Sequence, residues 1–161
     1  MDMKIKVLRL FSSISATSSP YVQFTKGFSN VATYPLAFFN NSEVKSRFIR
    51  YIQIFQEAMS LQRKHKIEVI HCHNIYLLPV AIGLKFRSCF NIKVAFTMHT
   101  SFSLLKTRDL FLLTFLFYFI DTFVSCGSAV RDGLPSYFRE NKIITSWRRG
   151  SKAWCRFCGS K

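Results

Sequence analysis

Three segments constrain the fold of this chain more than any other feature: Ile70-His71-Cys72-His73-Asn74, Phe96-Thr97-Met98-His99-Thr100-Ser101 and Asp121-Thr122-Phe123-Val124-Ser125-Cys126-Gly127-Ser128. In each, a short apolar run breaks into polar residues, and a stretch patterned as helix follows. Successive parallel strands joined by crossover helices produce this repeating image. Polar side chains then gather at the carboxyl ends of the strands, outside which open α/β sheets bind their ligands. Three of the four histidines fall there, and the fourth, His65, lies in a basic stretch ahead of a strand.

The remaining pattern agrees with an α/β domain built on a parallel sheet. Lys4–Phe11 reads as a first strand, followed by a hydroxyl-rich loop over residues 12–20 and a helix starting near Pro20. A weak strand covers Ala32–Phe39. An amphipathic helix then runs from Ser42, its cap, to about Lys64, with Val44, Phe48, Tyr51, Ile52, Phe55, Met59 and Leu61 on its apolar face. Strand Lys66–His71, helix Ile75–Phe86, strand Ile92–Met98, helix Leu104–Ile120, strand Thr122–Cys126, helix Ser128–Phe138 and strand Lys142–Thr145 complete the alternation. The pattern stops near Ser146. Residues 1–145 are therefore expected to form one domain, and residues 146–161 an irregular tail holding both tryptophans, five basic residues and no acid.

A hydrophobic fraction of 49% with 18 phenylalanines excludes a disordered chain. The net charge of +15 favours anionic partners: nucleic acid, phosphorylated ligands or an acidic membrane surface. The greasiest run, Leu110–Ile120, is too short to span a bilayer, which takes about 20 apolar residues, so a buried or membrane-surface helix is expected. The first ten residues alternate basic and apolar side chains, unlike a secretory signal. Five scattered cysteines without such a signal suit a reducing, cytoplasmic compartment and buried structural thiols at Cys72 and Cys126. Cys155 and Cys158 have half the spacing of a zinc site, with no second pair to complete it.

His99 is the leading candidate for chemistry. It ends a hydrophobic strand beside Thr100 and Ser101, where a ring N–H can donate to sugar hydroxyls or phosphate oxygens; the alternative is a ring that only pins the turn. His71 and His73 alternate, so both rings lie on one side of their strand, where they can shape a crevice floor. No acid adjoins them to complete a metal site. Asn74 is placed to cap the following helix, as is Ser128 at the head of the last one. Ser18 and Ser19 lie in the first loop, where related folds cradle phosphate, though no glycine precedes Gly27.

In order and spacing, these motifs resemble the N-terminal domain of glycosyltransferase family 4, whose GT-B fold has two facing Rossmann-like domains. IHCHN resembles the family's histidine-rich strand end, FTMHTSF its Thr-x-His-x-Ser segment and DTFVSCGSAVRDGL its Asp-initiated strand and helix. The resemblance covers residues 4–145 and implies a single Rossmann-like domain, one half of a GT-B fold. It implies retaining transfer of a sugar from a nucleotide-sugar donor, used as substrate, with no metal or other cofactor. The acceptor would be a glycan or a lipid-linked molecule. It also gives His99 the donor-sugar contact and puts the first loop near the donor diphosphate.

The family's Gly-Gly in that loop is Ser18-Ser19-Pro20 here, and neither the Asn-Gly-Val linker nor a donor domain lies within these 161 residues. The chain is therefore expected to be inactive alone, a truncated or frameshifted product, or to be completed by a separate donor-domain chain. Two other readings stay open. One is a basic α/β module for nucleic acid or phosphorylated ligands, although no nucleic-acid motif is present. The other is a non-catalytic subunit docking on a partner or peripherally on the inner face of a membrane.

Overall fold

The computed structural model describes residues 4–13, 31–39, 46–126, 128–141 and 143–146. Six strands form one entirely parallel sheet: β1 (Ile5–Ser13), β2 (Val31–Phe39), β3 (Val69–Cys72), β4 (Lys93–Met98), β5 (Thr122–Ser125) and β6 (Ile143–Ser146). Their order across the sheet is β2-β1-β3-β4-β5-β6. The chain steps one way from β1 to β2, then crosses back and proceeds the other way from β3. The strand order thus reverses between β1 and β3, the kind of switch point that opens a crevice at the carboxyl edge. The expected α/β class and parallel sheet are what the structure has.

Helices α1 (Arg47–His65), α2 (Leu78–Arg87) and α3 (Thr107–Phe117) join the strands, and the short α4 (Ser128–Asp132) and α5 (Ser136–Asn141) precede β6. Because side chains alternate along a strand, each strand gives one set of residues to each face. Leu8, Leu10, Ile70, Cys72, Val94, Phe96, Met98 and Phe123 form a continuous core with Ile54 and Ala58 of α1, Leu84 of α2 and Leu113 and Phe117 of α3. The opposite face carries the smaller cluster Val7, Val69 and Ala95, and closer to the carboxyl edge it turns polar, with buried Arg9, His71 and Thr97. Gly83 lets α2 approach α1 closely, since a Cβ there would stand 3.0 Å from the Phe55 ring.

Several boundaries differ from the expectation for identifiable reasons. The apolar face of α1 is rotated: Arg50, Ile54 and Ala58 are buried, whereas Phe48 and Ile52 are exposed. Arg50 turns inward because its Nε and Nη2 donate to the carbonyls of Phe38 (2.6 Å) and Ala37 (3.0 Å) at the end of β2, with Glu57 paired at 3.3 Å. The expected helix 104–120 begins instead with a single 3-10 turn, Phe102–Leu104, and becomes α-helical only from Thr107 to Phe117. The expected helix Ser128–Phe138 is two helices, broken where Pro135 disfavours a helical Leu134. The first loop, the helix expected near Pro20, Ser42, Val44 and the tail beyond Ser146 lie outside the described residues.

Asp121 ties three elements together. Its Oδ2 accepts from Lys85 Nζ at 2.6 Å and from the Val94 N–H at 2.7 Å, and Lys85 also donates to the Phe119 carbonyl at 3.1 Å. Lys85 is buried, so removing its counter-ion leaves an uncompensated charge. Asp121→Ala is expected to lower the free energy of unfolding by about 3 kcal/mol, read by urea denaturation, whereas Asp132→Ala on the surface should change it by less than about 0.5 kcal/mol.

Candidate functional site at the carboxyl edge of the sheet

The ladders of β3 and β5 each extend one step past their last strand residue. The His73 N–H donates to the Leu10 carbonyl, and the Cys126 N–H donates to the Met98 carbonyl, both at 3.0 Å. These steps keep period-two alternation intact to the edge. Phe11, His73, His99 and Cys126 consequently emerge on the same face from four adjacent strands.

Their side chains form a continuous row. The His73 ring stacks on Phe11, with centroids 4.6 Å apart and planes 11° from parallel, and lies 4.2 Å from the His71 ring, so the two alternating histidines do share a side. His73 Nδ1 is 3.3 Å from His99 Nε2, and His99 Nδ1 is 3.1 Å from Cys126 Sγ. Beneath the row, His71 Nε2 is 2.6 Å from Thr97 Oγ1. Across the switch point, Asn74 Nδ2 donates to Ser12 Oγ at 2.6 Å, while Asn74 Oδ1 accepts from the Tyr76 N–H at 2.8 Å and caps the 3-10 turn Ile75–Leu77.

The electrostatics keep this row neutral. Burial depresses His71 well below its ordinary value, helped by His73, Arg9 and His99. Burial also takes His73 down to about 3, with His99 and Arg9 adding to the effect, and it lowers His99. The thiols of Cys126 and fully buried Cys72 are both pushed up by burial. His99 Nδ1 shares one hydrogen bond with Cys126 Sγ and His99 Nε2 another with His73 Nδ1, and the His99 tautomer sets which atom donates in each. The two nitrogens of one imidazole point to opposite sides, so His73, His99 and Cys126 do not converge on one ion. Among the described residues no three His, Cys, Asp or Glu side chains gather at a metal-binding geometry.

Of the residues singled out from sequence, His71, His73, Asn74 and His99 come together here. Thr100 is exposed beside His99, and Ser101 opens the 3-10 turn with its Oγ 3.1 Å from Ser103 Oγ. Ser128 begins α4. Ser18 and Ser19 lie outside the described residues. Phe11, Ser12 and Arg9, which no sequence motif marks, also belong to this edge. Cys126 was expected to be a buried structural thiol; it is half-buried and bonded to His99.

The family model for glycosyltransferase family 4 matches residues 19–150. The chain belongs to glycosyltransferase family 4. No curated protein matches it. In this family 4 domain the edge carrying His99 is the carboxyl edge of a Rossmann-like sheet.

The depressed histidines make acid destabilising. Above their ordinary value of 6.5 they are neutral in both states; below it the unfolded chain takes up protons that the folded domain refuses, and for His73 this continues down to about 3. The free energy of unfolding is therefore expected to be greatest above pH 6.5 and to fall as the pH drops towards 3. Urea unfolding across this range tests it, and His73→Gln should flatten the dependence. The carbon and nitrogen shifts of the His73 ring should not titrate between pH 5 and 8, a window about two units or more above its folded value.

Proposed function

We propose that this domain is the acceptor-side half of a retaining glycosyltransferase. It would work opposite a donor-binding domain, transferring a sugar from a nucleotide-sugar donor to a lipid-linked or polysaccharide acceptor. The observation that carries this reading is the exposed His99 ring at the carboxyl edge, held by His73 on one side and Cys126 on the other. Family membership supports sugar transfer as the class of reaction.

In this proposal His99 offers Nε2–H to an oxygen of the donor sugar and orients it against the acceptor. Its neutrality suits a sugar hydroxyl, and the +15 charge of the chain supplies the attraction for a diphosphate. Asn74 and Ser12 brace the strand ends across the switch point, while His71 and Thr97 form the crevice floor. Thr100, Ser101, Ser128 and, in the first loop, Ser18 and Ser19 are proposed as further hydroxyl contacts to substrate. No resident metal or cofactor takes part in this scheme. We further propose a peripheral position on the cytoplasmic face of a membrane, where a lipid-linked acceptor is presented.

The test joins this domain to a family 4 donor domain and measures sugar transfer. His99→Ala should lower turnover by about 10²- to 10³-fold, as expected for loss of a positioned donor, while changing stability by about 1 kcal/mol or less. Transfer as fast as the parent's would make His99 structural and overturn the assignment.

A further inference from the structure

We infer that the cavity between the last turns of α1 and α2 binds a small organic phosphate through Arg63 and Arg87. Both helices run back from the carboxyl edge and end just ahead of β3 and β4, so this cavity lies at the amino edge, at the other end of the sheet from His99. The two helices meet closely at Gly83, where the missing Cβ makes room for the Phe55 ring. Further along both helices a cavity of about 390 Å³ opens, lined by Gln62 and Arg63 of α1, Leu84 and Arg87 of α2, and Ser88. Small-molecule sites occupy about 300–1,000 Å³. A guanidinium from each helix and the Gln62 amide supply donors, and buried Leu84 supplies an apolar wall. A phosphate group alone would fill a small part of that space, so the fit is to an organic phosphate.

Basic residues are common in a last helical turn, where they face the negative end of the helix dipole, so their presence alone assigns nothing. At the end of α2, however, backbone amides already take the terminal carbonyls. The Ser88 N–H donates to Leu84 at 2.9 Å, the Cys89 N–H to Phe86 at 3.0 Å and the Phe90 N–H to Lys85 at 2.9 Å. Left-handed Cys89 and Phe90, with φ of 51° and 65°, turn the chain back to make these bonds. Arg87 is therefore not needed as a cap. Nor do acids claim the two guanidinium groups: among the described residues, neither Arg63 nor Arg87 forms an ion pair. Glu57 pairs with Arg50, Asp121 pairs with Lys85, and Glu68 accepts from the Lys6 N–H at 3.4 Å. Two cations facing one cavity repel each other, and a phosphate dianion bridging them removes that repulsion, its oxygens matching the planar fork of each arginine. A monocarboxylate would neutralise only one. The inference stands apart from the transferase reading, since neither this site nor its test uses the His99 edge.

Arginine side-chain ¹H–¹⁵N spectroscopy of the full chain, titrated with glycerol 3-phosphate at constant ionic strength, provides the test. The Nε–H signals of Arg63 and Arg87 should move together along one saturation curve, and glycerol at the same concentration should leave them in place. Inorganic phosphate should bind more weakly, because it leaves most of the cavity unfilled; equal affinity would reduce the cavity to an ion site and overturn the inference. In calorimetry, Arg63→Gln/Arg87→Gln, checked by circular dichroism, should bind glycerol 3-phosphate about tenfold or more weakly. Lys64→Gln/Lys106→Gln removes the same charge outside the cavity and should bind as the parent does. An equal loss in both double variants would leave only general attraction to a chain of charge +15 and overturn the inference. So would shifts of Arg63 and Arg87 that never saturate, or shifts confined to other arginines. Should the arginine variant misfold, the titration of the parent decides.

Discussion

Parallel pairing of β1, β3, β4 and β5 in one register is the constraint on which this domain rests. It stacks Arg9, His71 and Ala95 at one level, with each step along the strands sending side chains to the opposite face. The helix-covered face is thereby filled with Leu, Ile, Val and Phe. The other face turns polar towards the edge, ending in Phe11, His73, His99 and Cys126. A slip of one residue in any of these strands would exchange the two sets, putting histidines into the core and leucines at the crevice. The same register that makes the core therefore makes the site.

A polar row beneath a parallel sheet's edge carries a desolvation cost, and the chemistry reduces it by keeping the groups neutral. A buried imidazolium beside Arg9 would combine a Born penalty with like-charge repulsion. Neutral histidines avoid both, and they can exchange a neighbour for a ligand without moving a net charge. His99 is the exposed member of the row, whereas His73 is clamped between Phe11 and His71. The row thus has a rigid inner part and an outer ring accessible to substrate. Apart from buried Arg9, Arg50 and Lys85, the basic side chains of the described residues are mostly exposed to solvent.

Strand existence and polarity were legible in the sequence because each strand ends in an abrupt change from apolar to polar residues, and His71, His73, Asn74 and His99 could be named on that signal. Cys126 and Ser12 were harder to see. Their roles depend on which strands become neighbours, and the β2-β1-β3 order is not encoded in any local pattern. Arg9 was illegible for a related reason: an arginine in KIKVLRLF looks like a solvent-facing residue, and only its pairing beside His71 shows that it is buried. Helix faces failed where polar anchors won over periodicity. Arg50 turns inward to bond the end of β2, which rotates α1 and leaves Phe48 and Ile52 outside. The division of the last helical segment was implicit in Gly133 and Pro135, which the apolar pattern alone overrode.

The central claim is that His99 Nε2–H meets an oxygen of the donor sugar. Selective ¹⁵N-histidine spectroscopy of the domain assembled with a donor domain tests it most directly, recorded before and after adding an inert nucleotide-sugar analogue. The account predicts that in the free assembly the His99 proton resides on Nε2, and that the analogue shifts this nitrogen while His71, bonded to Thr97, stays unchanged. A His99 signal that does not respond to a saturating analogue, or a proton found on Nδ1, would contradict it.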